Sequence, residues 1–372
     1  MNPPPKLLLL IPHLGGGGAE QVIAQLAAGL SAQKYELHLA LLTQSELPAK
    51  EKPPSWVEVH ALGARRVRGG AFSLLRLVRR LKPDLILSGI FHSNFLVLLL
   101  RPLFPPGTRI LVRQNGTVSS TLELGGLPWY TRLLYRLLYR SADRVICQSP
   151  AMARDLAHEL RITEDRITVL PNPVDVEGIR SLVAANPPPQ TARAAPQLLA
   201  IGRLSREKGF DLLLRALALL RAEIPQASLV IAGSGAEEAA LKDECRALGL
   251  DSVVHFAGYL AHPYTQYPDA TLFVLASRHE GLPNALLEAA AAGLPIVATP
   301  ACTGLVEVLH GQPGVWLASA ITAEALAASL ITALQSLQPG ERFTHPFVEA
   351  FRLDRAIPAF EHLIDQTIAA KR

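Results

Sequence analysis

Two segments of the 372-residue chain hold most of the side chains suited to chemistry on a phosphorylated ligand. In Ile201-Gly202-Arg203-Leu204-Ser205-Arg206-Glu207-Lys208-Gly209-Phe210-Asp211, the cations Arg203 and Lys208 and the glycines Gly202 and Gly209 sit between an apolar run and a helical pattern carrying Leu212 to Leu220. Arg offers a forked set of donors and Lys a point charge, both matched to phosphate oxygens. A diphosphate suits this turn; a solvated surface turn is the bland alternative. Ala232-Gly233-Ser234-Gly235 is another glycine turn after an apolar run, and Gly233 adds a candidate backbone contact.

The second segment runs Ser277-Arg278-His279-Glu280-Gly281-Leu282-Pro283-Asn284-Ala285-Leu286-Leu287-Glu288. Pro283 near the first helical position, with Gly281 before it, predicts a helix start whose amides point at a ligand. Glu280 falls in the loop and Glu288 inside an Ala/Leu-rich helix. A carboxylate is costly to bury alone, so Glu288 must face a polar partner such as a ribose diol or an ion pair elsewhere. A third glycine run, Leu14-Gly15-Gly16-Gly17-Gly18-Ala19-Glu20, precedes a helical pattern from about Ala19 to Leu30. Gly17 and Gly18 there are placed to let backbone amides approach an anion. The order does not match the G-x-G-x-x-G dinucleotide fingerprint, and a flexible turn explains it equally well.

These loops need strands to launch them. Short apolar runs recur at Lys6 to Ile11, Leu37 to Leu42, Leu85 to Leu87, Arg109 to Arg113, Arg144 to Cys147 and Ile167 to Leu170. They resume at Gln197 to Ile201, Ser228 to Ala232, Val253 to Phe256, Thr271 to Leu275 and Pro295 to Ala298, with helical patterns between. Such alternation predicts an α/β protein with two parallel sheets covered by helices. The Pro-rich segment from Asn186 to Arg193 reads as the linker, giving domains at 1–180 and 196–345. Ligands of open α/β sheets bind beyond the carboxyl ends of the strands, so a central cleft is the expected site.

Bulk properties exclude several classes. Hydrophobic residues make up 49% and charged residues 18%, too apolar for disorder. Apolar runs such as Phe95 to Leu100 and Leu286 to Val297 are short or broken by Glu288 and Pro295, so none predicts a bilayer span. The initial LLLLI reads as a buried strand rather than a signal peptide. Cys147, Cys245 and Cys302 lack C-x-x-C spacing, which argues against disulfides and a zinc site and favours a reducing, cytoplasmic setting. The net charge of +4 hides an asymmetry: 22 Lys+Arg against 14 Asp+Glu through Arg180, then 14 against 18. There is no D-x-D triplet, G-x-x-x-x-G-K-[ST], H-E-x-x-H or G-x-S-x-G.

Taken together, GGAE at Gly17 to Glu20, GRLSREKGFD at Gly202 to Asp211, and Glu280 and Glu288 separated by seven residues that begin with GLPN resemble the retaining glycosyltransferases of family 4, also called group 1. Ala142 to Ile146 and Val169 to Asp175 extend the likeness over nearly the whole chain. The resemblance implies a GT-B fold, two Rossmann-like domains facing a cleft, with a final helix of about Asp354 to Ala369 crossing back to the first domain (about 350–372). It also implies that Arg203 and Lys208 hold the donor diphosphate, Glu288 the ribose hydroxyls and Glu280 the transferred sugar. Amides around Gly281, Leu282 and Asn284, with Gly17 and Gly18, would complete the phosphate cradle. No cofactor and no metal are expected beyond the nucleotide-sugar co-substrate.

One departure concerns the first domain. Many relatives carry a His where this chain has Asn115, in RILVRQNG from Arg109 to Gly116. An Asn can hydrogen-bond a sugar hydroxyl but is no acid or base at neutral pH. His92, after the preceding strand, matches another His of the family; both are acceptor-side candidates, although a lone His is more often structural.

WYTRLLYRLLYR, ending at Arg140, sets Arg132, Arg136 and Arg140 four residues apart beside Trp129, Tyr130, Tyr135 and Tyr139. On a helix this predicts either a basic, aromatic face on an anionic membrane or a core-packed helix with a solvated Arg edge. The expectation is therefore a cytoplasmic enzyme, peripheral on the inner face of the membrane. It would move a hexose or HexNAc from a nucleotide sugar, UDP-linked by analogy with members that build bacterial surface polysaccharides, to a glycan or polyprenyl-diphosphate-linked acceptor. A non-catalytic sugar-nucleotide-binding protein and a GT-B-type epimerase are the alternatives. Nucleic-acid binding lacks a motif.

Overall fold

A computed structural model describes residues 3–15, 17–43, 53–64, 67–124, 130–186, 195–260 and 263–370. The chain divides into two compact units, Met1–Pro173 with Leu353–Arg372, and Val174–Arg352. The first holds strands β1 (Lys6–Ile11), β2 (Glu36–Thr43), β3 (Glu58–Ala64), β4 (Leu85–Ser88), β5 (Arg109–Arg113), β6 (Arg144–Cys147) and β7 (Ile167–Val169), in the order β3-β2-β1-β4-β5-β6-β7. The second holds β8 (Gln197–Ile201), β9 (Ser228–Ala232), β10 (Val254–Gly258), β11 (Leu272–Leu275), β12 (Ile296–Ala298) and β13 (Val315–Leu317), in the order β10-β9-β8-β11-β12-β13. Every pairing is parallel.

Central parallel strands are covered on both faces, which is why they read as unbroken apolar runs. In β1, Leu8 and Leu10 enter one core while Leu7, Leu9 and Ile11 enter the other. In β8, Leu198 and Ala200 face one core and Leu199 the opposite one. The strand order reverses between β1 and β4 and between β8 and β11, so each unit has a topological switch point flanked by the loops after those strands.

Two strands, β3 and β13, are absent from the sequence expectation, and both lie at sheet edges. Along β3 the residues alternate between exposed and half-buried, and β13 is a half-buried Val-Trp-Leu. An edge strand buries only part of its surface, so the continuous apolar signal fades there.

The unit boundary also falls earlier than the Pro-rich segment, which from residue 187 lies outside the described residues. Val174, Val176 and Ile179 bury into the second unit's core beside Leu282, Leu286 and Phe351, so the helix Val176–Ala185 belongs to that unit. Asp175 caps it by accepting from the Gly178 amide at 3.0 Å. The last helix, Leu353–Ala369, returns to the first unit. Ile357, Phe360, Leu363 and Ile364 pack there with Leu7, Val22 and Leu26, each worth about 1.5–3 kcal/mol of burial. A Cβ on Gly29 would stand 2.7 Å from Ile357 Cδ1, so glycine lets the two helices close up. Glu361 accepts from the Ser31 amide at 2.9 Å and pairs with Lys34 at 2.8 Å. No helix among the described residues is long and apolar enough to cross a membrane.

Candidate active site

The second unit gathers its candidate residues at its switch point. The loop after β8 carries Gly202, Arg203 and Lys208; the loop after β11 carries Glu280, Gly281 and Leu282, and leads into the helix Asn284–Ala291. Arg203 is exposed. The Lys208 ammonium pairs directly with the Glu280 carboxylate, which also accepts from Ser277 Oγ at 2.9 Å. Arg278 fastens the two loops: its guanidinium bonds both oxygens of Asp211 at 2.7 and 2.6 Å, and its amide donates to Glu207 O at 2.7 Å. Burial pushes the Asp211 carboxyl up, but the Arg278 hydrogen bonds and charge outweigh it and hold it below the ordinary range.

Two glycines are required by geometry. Gly209 has φ +65°, and a Cβ there would lie 2.0 Å from Ala276 O. Gly233, at φ +149°, brings the turn after β9 against the Gly202 carbonyl, 1.9 Å from where a Cβ would sit. Behind the loops, Thr299 at the end of β12 donates to Ser277 O at 2.5 Å, and the Cys302 thiol donates to Gly281 O at 3.0 Å. The buried Glu288 accepts from Tyr264 OH at 3.4 Å. Burial, followed by the charge of Glu288, pushes the Tyr267 phenol well above its usual range. The carboxylate thus lies among hydroxyls at the base of the loop helix.

In the first unit the candidates also follow strand carboxyl ends. Gly17 is the N-cap of the helix Gly18–Gly29, and its Cα lies against the buried Glu20 carboxylate, 2.1 Å from the place of a Cβ. Gly16 lies outside the described residues. His92 is exposed on the first turn of the helix Phe91–Leu100, edge-on to Phe91. Asn115 donates to Gly89 O after β4 and accepts from Gln148 Nε2 at 3.3 Å after β6. Its amide therefore ties neighbouring loops together.

With this geometry in place, comparison with known proteins is informative. Residues 16–177 match the family described as Glycosyltransferase Family 4, and residues 195–336 the one described as Glycosyl transferases group 1. The chain is 30% identical over 317 residues to N-acetylgalactosamine-N,N'-diacetylbacillosaminyl-diphospho-undecaprenol 4-alpha-N-acetylgalactosaminyltransferase of Campylobacter jejuni, covering 82% of this chain and 83% of that protein. The chain belongs to glycosyltransferase family 4. Solved structures agree on the GT-B fold of this glycosyltransferase. Sucrose-phosphate synthase from Thermosynechococcus elongatus superposes with a TM-score of 0.84 at 19% identity, over 99% of this chain and 100% of the other. Anabaena HepE in complex with UDP-glucose gives 0.77 at 18% identity, over 97% and 99%.

Several residues of the glycosyltransferase's two units escaped the sequence reading. Asp211 and Arg278 form a bidentate pair 67 residues apart, and Tyr264 and Tyr267 approach Glu288 from a short turn after β10. The only sequence signal for them was polar or aromatic residues beside predicted strand ends. Arg113, at the end of β5, is fully buried, donates to Asn172 Oδ1 at 2.6 Å, and burial lowers its pKa to about 10. The helix Tyr130–Tyr139 joins features of both expected forms. Tyr135 and Tyr139 are buried and donate to Gln114 Oε1 at 2.8 and 3.2 Å. Arg132 pairs with Glu159, while Arg136 and Arg140 donate to the carbonyls of Glu159 and Arg161 at 3.2 and 3.1 Å. Exposed beside Arg132 and Arg140 are the apolar side chains of Tyr130, Leu133, Leu134 and Leu137. Trp129 lies outside the described residues.

Proposed function

We propose that this enzyme moves a hexose or N-acetylhexosamine from a UDP-sugar to a glycan or polyprenyl-diphosphate-linked glycan, with retention at the anomeric carbon and without a metal on the donor. The carrying observation is the convergence at the second unit's switch point of Lys208, Glu280 and the helix start at Asn284, with Glu288 buried one helical turn further in. Lys208 and Arg203 are charged donors suited to the leaving diphosphate, Glu288 suits a ribose diol, and Glu280 suits a sugar hydroxyl. Amides at Gly281, Leu282 and Asn284, with Gly202 and Gly233 allowing close approach, complete the donor side. Support for UDP comes from HepE, solved with UDP-glucose, and for a lipid-linked acceptor from the diphospho-undecaprenol named for the Campylobacter relative.

In the proposed step the bond from the sugar C1 to the phosphate oxygen breaks and the acceptor oxygen bonds C1 from the same face. The acceptor proton passes to a donor phosphate oxygen, since Asn115 has no titrating group to take it. Catalysis then rests on positioning and on stabilising the departing diphosphate. The amides near Gly17 and Gly18 are proposed donor-phosphate contacts; on the acceptor side His92 and Asn115 are proposed contacts, and the exposed leucines of Tyr130–Tyr139 are a proposed membrane contact.

Thermal stabilisation and donor hydrolysis across UDP- and GDP-sugars test the donor. Lys208→Ala is expected to lower turnover at saturating donor roughly 10²–10³-fold, the scale of losing one charge-stabilising donor. An unchanged rate would remove Lys208 from the mechanism.

A further inference from the structure

The outer edge of the first unit's sheet carries a group of side chains unrelated to the candidate active site. Glu36 and His38 stand two apart on β2, and Glu58 and His60 two apart on β3, so each pair projects from one face of its strand. The parallel register sets His38 beside Glu58 and Ala40 beside His60. His38 Nδ1 lies 3.1 Å from His60 Nε2 and 3.3 Å from Glu58 Oε2, and His60 Nε2 lies 3.7 Å from Glu58 Oε1. The remaining His38 nitrogen, Nε2, is 3.0 Å from Glu36 Oε1.

We propose that His38, His60 and Glu58 bind a divalent transition-metal ion, with Zn²⁺ the best match, and that Glu36 orients His38 from behind. Tetrahedral Zn²⁺ with bonds of about 2.0–2.1 Å has ligand atoms about 3.3 Å apart; the two imidazole nitrogens are 3.1 Å apart, and one ligand atom from each of the three residues can be chosen with all of them within 4.8 Å of one another, so a small rotation of the exposed Glu58 carboxylate completes the set. Two imidazoles and a carboxylate are a common zinc donor set, and a carboxylate on the far nitrogen of a ligating His is its usual support. With the Nε2 hydrogen of His38 assigned to Glu36, Nδ1 presents a lone pair toward His60 and Glu58. In the metal-free protein a hydrogen on His60 Nε2 satisfies that lone pair; on metal binding His60 takes the tautomer with its hydrogen on Nδ1, which frees the Nε2 lone pair for the ion with no net change in protons on the ring.

The position argues for a structural role. The His38 side chain is only 2% exposed, whereas Glu58 is 64% exposed and leaves an outward coordination position for water. The ligands lie in the first halves of β2 and β3, while the candidate site residues follow strand carboxyl ends. The ion would pin the short-cored edge strand β3 to β2. Nearby cations are Lys6, 3.5 Å from Glu36, and Arg80, whose charge reaches His60; the two carboxylates of the group offset them.

The test is titration of untagged, metal-stripped full-length protein with Co²⁺ and Zn²⁺. Expected are one equivalent bound per chain, a visible Co²⁺ spectrum of tetrahedral type displaced by Zn²⁺, and a higher melting temperature with Zn²⁺. Glu36→Gln should weaken binding about 10–100-fold, the usual effect of losing such a support. His60→Ala and the exposed-site variant Glu58→Gln should lose the tetrahedral spectrum while circular dichroism reports an intact fold. Absence of a saturable site in the wild type, or wild-type affinity in Glu58→Gln and His60→Ala, would overturn the proposal.

Discussion

Lys208 and Glu280 meet from loops 72 residues apart, and the pair changes what each side chain must do. With Glu280 partly neutralising Lys208, the phosphate of the proposed donor would share that ammonium, and Ser277 donates to the same carboxylate. The neighbouring Asp211–Arg278 pair is a different kind of contact, a two-point clamp whose product is loop position. Because the folded Asp211 carboxyl is held below its ordinary value, the clamp stabilises the protein at pH above that value and loses its contribution as pH falls through the folded one. Wild type should therefore lose melting temperature more steeply than Asp211→Asn as pH falls from about 5 through the ordinary carboxylate range and below it, the two converging in acid. Thermal melts across that range check this; parallel curves would mean that the clamp adds nothing to stability. Arg203, Lys208, Glu280 and Glu288 could be singled out as candidates because cations and carboxylates fall in glycine turns after apolar runs, and the family resemblance joined them into a set. Asp211, Arg278, Tyr264 and Tyr267 were not, since their pairing depends on how far apart the loops begin.

At the scale of elements, strands flanked on both sides announce themselves, whereas of the four edge strands two, β7 and β10, are legible and two, β3 and β13, are not. The run KLLLLI of β1 can only be a doubly covered strand, whereas EVHALGA of β3 carries polar residues because half its surface is wet. The helix Tyr130–Tyr139 shows the limit of a helical pattern in the other direction. Its arginine spacing was visible, but not that Glu159 pairs with Arg132 and that Leu133, Leu134 and Leu137 stand exposed beside the arginines, which makes the outward face mixed. The proposed membrane contact is expected to rest on these exposed leucines, with Glu159 offsetting the charge of Arg132. In vesicle flotation, Leu133→Ser with Leu137→Ser should release the protein from neutral and anionic vesicles alike. Retention of the double variant, or loss of wild-type binding in moderate salt, would place the contact elsewhere or return it to the arginines.

For the whole molecule, the second unit is one continuous stretch, Val174–Arg352, with its own two-sided core, while the first needs both Met1–Pro173 and Leu353–Arg372. A fragment spanning Val174–Arg352 should melt cooperatively and, on the proposed function, gain stability with UDP. A chain lacking the stretch from Leu353 should expose Leu7, Val22 and Leu26 and aggregate. Cooperative melting and solubility measurements on the two shortened chains decide both. Fold class, the existence of two parallel sheets and the candidate donor loops follow from sequence alone, because hydrophobic periodicity and glycine-cation turns are local properties. The unit boundary at Pro173, the helix that returns to the first core, the Lys208–Glu280 and Asp211–Arg278 pairs and the His38–His60–Glu58 group were decided only by tertiary structure. Each is a contact between residues distant in the chain, and strand register and core burial, which no local pattern encodes, set which of them touch.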